Sequence, residues 1–166
     1  MSKQKGFTTV EALIALVIFA LLLILITPQL KVYYAQNRLK AAAEGLYDDI
    51  LNARMAVIKT NTAVTFSSST GATWCYGLTS GTNACSCSTP ATCTLGAVSS
   101  TNYPNTTLAG LTSVTFDAVR ATPNNTGTVT FSTTSGSTNS VTLTLSALGT
   151  TTLCSPSSTV GGYAGC

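Results

Sequence analysis

Two sets of residues in this chain have types and spacings that bear on chemistry: a lone carboxylate and six cysteines. The carboxylate is Glu11, the only formal charge between Lys5 and Lys31. It stands near the start of an apolar run, Phe7 to Ile26. A carboxylate in hydrocarbon costs roughly 2–3 kcal/mol or more to insert, so it needs a partner. The run offers none of its own. The partner must come from another molecule, and that implies assembly.

The cysteines are Cys75, Cys85, Cys87, Cys93, Cys154 and Cys166, all downstream of the apolar run. In a domain outside the cytoplasm, an even number reads as disulfides, each stabilising a modest core by about 2–4 kcal/mol. The rival is a zinc site built on Cys85-x-Cys87 and Cys93. A chain with no histidine in an oxidising compartment argues against it. Proximity suggests Cys154 with Cys166, closing a C-terminal loop, and pairs within the Cys75 to Cys93 cluster.

No catalytic set accompanies them. From Thr60 onward the only formal charges are Asp117 and Arg120, too few acids for paired-carboxylate chemistry. The serines have no general base to activate them. The net charge of +3 belongs to the front of the chain. The rest lacks the basic patch that phosphate contacts require, so nucleic acid is not an expected partner. No cofactor or metal is implied.

The elements that hold these residues follow from composition. Phe7 to Ile26 is 20 residues, about 30 Å as a helix, which matches a bilayer core. Lys3 and Lys5 before it predict a cytoplasmic N-terminus and an exported remainder. A cleaved secretory signal shares the basic start, but here the run ends Ile24-Leu25-Ile26-Thr27-Pro28 without small A-x-A residues and continues into helix-like sequence. Leu39, Ala42, Leu46, Ile50, Ala53 and Val57 recur at spacings of three and four, a stripe that should pack on a folded domain. Arg38, Lys40, Glu44, Asp48, Asp49, Asn52 and Arg54 mostly fall on the other faces. Pro28 should kink or loosen the helix, Gly45 is a milder weak point, and Thr60-Asn61-Thr62 is a plausible end.

The rest is rich in serine and threonine, 45 of the 107 residues from Thr60 onward, a composition that could describe a disordered stalk. Period-two alternation argues for strands instead: Val64-Thr65-Phe66, Trp74 to Leu78, Val114-Thr115-Phe116, Val129-Thr130-Phe131 and Val141 to Leu145. Turn signals separate them at Ser69-Thr70-Gly71, Pro123 to Gly127 and Ser135-Gly136-Ser137. The expected fold is α+β, a long N-terminal helix packed on an antiparallel β domain. Its zones are a leader (1–6), a membrane and assembly half of the helix (7–28), an amphipathic half (29–60) and an exported β-rich domain (61–166). Tyr33, Tyr34 and Tyr47 read as packing or interface aromatics, Trp74 and Tyr76 as core. Asn105-Thr106-Thr107 and Asn124-Asn125-Thr126 match a glycosylation acceptor pattern that recurs by chance.

Lys5-Gly6-Phe7-Thr8-x-x-Glu11, the apolar run and Pro28 together resemble the class III signal of type IV pilins and type II secretion pseudopilins. The resemblance implies cleavage by a prepilin peptidase between Gly6 and Phe7 and N-methylation of Phe7. It also implies a single-pass inner-membrane protein with a periplasmic C-terminal domain, later drawn into a pilus or pseudopilus. Glu11 of one subunit would then pair with the new amine of Phe7 on a neighbour, or as the alternative with the amine of its own chain, with Pro28 at the family's helix-breaking position. More diffusely, Leu51 to Asn61 running into Val64-Thr65-Phe66, Trp74 to Leu78, the Cys85-Ser86-Cys87 and Cys93 cluster and a late strand pair near Leu148-Gly149 and Cys154 resemble H-type pseudopilins and FimT/FimU-like minor pilins. Ser155 to Cys166 carries no basic residue, unlike DNA-binding relatives of the FimT type. The implied role is a non-enzymatic minor pilin near a filament tip. It would prime assembly and link tip subunits to the shaft, alongside other minor pilins, a major pilin or pseudopilin and an inner-membrane assembly platform. An H-type pseudopilin of a type II secretion system is the alternative within the class; a tip adhesin or DNA-uptake receptor is the alternative outside it.

Overall fold

The computed structural model describes Gly6 and residues 8–134, 139–156 and 160–166, with the backbone alone for 25–29. Two compact units divide at Tyr34 and Ala35. Helix α1, Thr9–Thr60, contributes to both. Its helical backbone continues through Pro28, so the missing N–H there removes one bond of the ladder without ending it. The Pro28 side chain lies outside the described residues.

In the first unit, the apolar side chains from Val10 to Ile24 are exposed. Among the described residues no helix is long and apolar enough to cross a membrane. The stretch read as a span includes Phe7 and the side chains of Leu25 and Ile26, which lie outside the described residues.

In the second unit, the expected stripe is the core-facing side of α1: Leu39, Ala42, Leu46, Ile50, Ala53 and Val57 are all buried, joined by Ala43. The helix stops where Asn61 takes a left-handed backbone, φ 54°, and its N–H returns to the Val57 carbonyl at 2.9 Å. Asparagine tolerates that conformation better than most residues with a Cβ, which makes Asn61 the C-terminal cap.

Eight strands follow among the described residues: β1 Val64–Ser69, β2 Cys75–Ser80, β3 Gly96–Ser99, β4 Thr106–Gly110, β5 Ser113–Phe116, β6 Gly127–Thr133, β7 Ser140–Leu145 and β8 Thr151–Cys154. They form two four-stranded sheets, ordered β3-β2-β1-β5 and β4-β6-β7-β8, with every pairing antiparallel. Alternation decides which side chains face the core: Val64 and Phe66 on β1, Tyr76 and Leu78 on β2, Val129 and Phe131 on β6, Val141, Leu143 and Leu145 on β7.

Trp74 joins the two sheets. Its ring lies 5.2 Å from Phe131 in an edge-to-face pair and stacks at 6.1 Å on Tyr76 and on Tyr103. Its indole N–H donates to the Thr106 hydroxyl at 3.1 Å, so burial leaves no donor unpaired.

The outward face of the first sheet is covered too. Thr65 and Ser67 are buried, and their hydroxyls donate to the carbonyls of Gly81 and Cys85, each at 2.8 Å. The cover is the 85–93 loop, held by Cys75–Cys87 and Cys85–Cys93. Gly77 makes room for it, because a Cβ there would run into the Cys93 sulfur.

Candidate functional site

At the start of α1, Thr8 and Glu11 stand in the T-x-x-E order of a helix-capping box. The Thr8 hydroxyl accepts the backbone N–H of Glu11 at 3.3 Å, and the Thr8 carbonyl takes the first helical N–H, from Ala12, at 3.2 Å. Thr8 and Glu11 are exposed, as is Gly6. Among the described residues no cation pairs with the Glu11 carboxylate. Phe7, the expected new N-terminus, lies outside the described residues. The capping role of Thr8 was not drawn from the sequence, although its spacing to Glu11 carried the signal.

A second group of polar residues on α1 is turned to the β domain, beside the buried stripe. Arg54 Nη1 donates to the Gly149 carbonyl at 2.7 Å, with longer contacts at 3.4 Å from Nη2 to Leu148 and from Nε to Ala121. One guanidinium thereby fastens two turns to the helix, a geometry suited to its planar fork. The Tyr76 hydroxyl donates to Asp49 Oδ2 at 2.9 Å. Burial holds the Asp49 carboxyl above its ordinary value, the Tyr76 hydrogen bond opposes that, and the neighbouring Asp48 charge adds to it. Tyr76 is raised as well, by burial first and then by Asp49.

The C-terminal segment is the third contact. Cys154 is bonded to Cys166, and Val160 between them is fully buried. The Lys40 ammonium donates to the Gly161 carbonyl and lies 5.8 Å from the centre of the Tyr163 ring. The Tyr163 hydroxyl donates to Glu44 Oε1 at 2.6 Å; burial, then Glu44, pushes that phenol up. Lys40, Glu44, Asp49 and Arg54, read from spacing as belonging mostly to the other faces, are thus docking residues. Each flanks the stripe closely enough for a long side chain to reach the sheets.

The six cysteines form three disulfides, and no described cysteine is free. Asp117 and Arg120 belong to the turn after β5, where the Asp117 carboxylate accepts the Val119 N–H at 3.3 Å. Among the described residues, neither makes a hydrogen bond or ion pair with a cysteine.

Comparison with known proteins agrees with this architecture. The prokaryotic N-terminal methylation motif matches residues 1–27, and the type II transport protein GspH family matches residues 42–149. In fold, the chain is similar to the type IV minor pilin FimU of Pseudomonas aeruginosa, with a TM-score of 0.56 at 19% identity over 76% of this chain and 95% of that one. No curated protein matches the chain. An N-terminal methylation motif on a long helix, with antiparallel sheets packed on its C-terminal half, defines the class of type IV pilins and type II pseudopilins. The GspH match extends over more than half of the sequence, and the chain belongs to the GspH family. That membership implies a structural protein, anchored in a membrane before assembly into a pilus or pseudopilus, and processed by a prepilin peptidase.

Proposed function

We propose that this chain is a minor type IV pilin acting near the filament tip, where it primes assembly and links tip subunits to the shaft. The observation that carries the reading is the joining, in one chain, of the methylation motif over 1–27 to a GspH-type domain over 42–149. A solved minor pilin shares its fold, while the matching family is named for type II transport, so an H-type pseudopilin of a secretion system is the second reading.

In this reading the peptidase cuts between Gly6 and Phe7 and methylates the Phe7 amine. Residues 7–28 hold the subunit in the inner membrane with the N-terminus cytoplasmic, and 61–166 fold in the periplasm. Glu11 then pairs with the Phe7 amine of a neighbouring subunit, neutralising two charges that are costly in an apolar setting. Pro28 sits where the membrane half meets the amphipathic half.

Deletion of the gene tests the role. Loss of sheared surface fibres with normal exoprotein release supports the minor pilin. Normal fibres with exoproteins retained in the periplasm transfer the chain to a type II secretion system. Mass spectrometry of the mature chain tests the processing: a first residue of N-methyl-Phe7 supports it, and an intact Met1 refutes it.

A further inference from the structure

A recess of about 290 Å³ opens between α1 and the first sheet, lined by Asp49, Asn52, Ala53, Ala56, Leu78 and Leu95. Its lining combines two chemistries. Ala53 and Leu78 are buried, while Ala56 is half-buried and Leu95 is 44% exposed, so four of the six lining residues are apolar. The other two bring one carboxylate and one amide. The Asp49 carboxylate takes a single hydrogen bond, from Tyr76, and among the described residues no cation pairs with it. Asp48 beside it adds a second negative charge.

We propose that this recess receives a lysine or arginine side chain presented by a neighbouring filament subunit. The aliphatic stem lies along Ala53, Ala56, Leu78 and Leu95, and the cationic head meets Asp49, with the Asn52 amide oxygen as a further acceptor. Long cationic side chains bury their stems on apolar surface while the charge seeks a polar partner, and the lining supplies both. A purely apolar side chain would leave the half-buried carboxylate cut off from water without a counter-charge, which is costly. An acidic one would be repelled by Asp48 and Asp49. Charge complementarity therefore selects a cation. The identity of the partner as a filament subunit rests on the function proposed above; the chemistry of the recess does not.

The test uses the full chain in detergent micelles, with methyl-labelled alanine and leucine followed by NMR. The probes are n-butylguanidinium and its neutral isostere n-butylurea. Butylguanidinium should shift the Ala53 and Ala56 methyl signals saturably, with a Kd on the order of 10 mM, as a ligand of so few atoms allows. Butylurea should bind at least fivefold more weakly. Asp49→Asn keeps an acceptor for Tyr76 and should bring the two probes within twofold of each other. Ala56→Leu fills the recess and should abolish both responses. Equal binding of the two probes to the natural chain, a preference that survives Asp49→Asn, or no saturable shift overturns the proposal. In cells, Asp49→Arg should lower incorporation into filaments several-fold with N-terminal processing intact. Normal incorporation of that variant overturns the assignment to a filament subunit, and a chain that never enters filaments overturns the function proposed above instead.

Discussion

Arg54 and Gly149 meet across the interface between helix and sheets, with Nη1 2.7 Å from the carbonyl oxygen. Gly149 has a left-handed backbone, φ 77°, and a Cβ at that position would stand 2.9 Å from Arg54 Nε. The glycine therefore serves the turn and the close approach of the guanidinium together. Arg54→Ala strands three carbonyls and should cost about 2 kcal/mol, the range for hydrogen bonds to a charged donor. Arg54→Lys should recover less than half, because an ammonium cannot span the two turns as the fork does. Urea unfolding of the detergent-solubilised chain measures both; a loss below a few tenths of a kcal/mol for Arg54→Ala contradicts the docking role.

Two glycines with opposite surroundings give a paired prediction. A Cβ at Gly45, inside α1, meets only the Tyr103 and Tyr76 hydroxyls at 3.5 and 3.9 Å, an ordinary contact. Gly45→Ala should stabilise by about 0.5–1 kcal/mol through helix propensity and a less flexible unfolded chain. Gly77→Ala pushes a methyl into the Cys85–Cys93 bridge and should destabilise by about 1–3 kcal/mol, as overpacking does. Thermal unfolding midpoints should move in opposite directions; a shift of the same sign in both variants would count against this packing.

What the sequence disclosed, and what it withheld, follows from the physics of each signal. The α1 stripe was legible because one helical face repeats its apolar residues at every turn from Leu39 to Val57. Strands β1, β2, β5, β6 and β7 were legible because valine, phenylalanine and leucine alternate with threonine. Alternation does not reveal β3, β4 or β8, since Gly96–Ser99, Thr106–Gly110 and Thr151–Cys154 each contain too few large apolar residues to show a period; β8 is anticipated only through the family resemblance, as part of the late strand pair near Leu148-Gly149 and Cys154. Their pairing is imposed by neighbours: β3 follows β2 in register from Cys75 opposite Ser99. The polar contacts of Lys40, Glu44, Asp49 and Arg54 join residues far apart in sequence, and local pattern cannot carry them. Glu11 stood out at once because a charge in an apolar run has no local explanation.

Asp49 predicts a pH dependence. Its folded-state carboxyl is raised above the ordinary value, chiefly by burial, so folding favours its protonated form. That contribution is present below the unfolded pKa and is lost as pH rises through the folded one. Asp48 on the same helix and the Tyr76 hydroxyl are the groups acting on it; Tyr103, which acts on Tyr76, adds no ionised charge over this range. Compared with Asp49→Asn, the natural chain should gain stability as pH falls from 7 to 3, because the other acids are common to both. Unfolding midpoints across that range measure the difference; a relative loss on acidification would show that the Tyr76 hydrogen bond outweighs burial.

The Cys154–Cys166 bond and the Tyr163 contact with Glu44 hold the C-terminal loop by independent means. Replacing both cysteines by serine should cost about 2–4 kcal/mol, because the open chain gains conformational freedom when unfolded. The loop itself should loosen further than the domain. Exchange of the Ser155 amide, which donates to Ala164 at 2.9 Å, should accelerate more than that of Val141 within the second sheet. Tyr163→Phe removes only the bond to Glu44 and should cost about 1 kcal/mol. Hydrogen exchange resolved by residue separates the two effects, and equal acceleration at Ser155 and Val141 would mean that the bridge stabilises the domain without selectively holding the loop.

Thr8 and Glu11 allow local capping and intermolecular pairing to be separated. The Thr8 hydroxyl accepts the backbone N–H of residue 11, and that bond is indifferent to the side chain there. Glu11→Ala and Glu11→Gln should therefore leave the cap, the helix content and cleavage after Gly6 largely as they are. Both should lower incorporation into filaments, since neither offers a negative charge to the Phe7 amine of a neighbour. Thr8→Val keeps the shape and loses the hydroxyl, costing about 1 kcal/mol at the exposed helix start, and should incorporate nearly as the natural chain does. Incorporation is read as the fraction of mature subunit in sheared filaments, with processing read by N-terminal mass spectrometry. If Glu11→Gln assembles normally, a neutral acceptor suffices and no ion pair is required. If Thr8→Val fails as badly as Glu11→Ala, the helix start is the quantity that matters, and the carboxylate has no intermolecular role to explain.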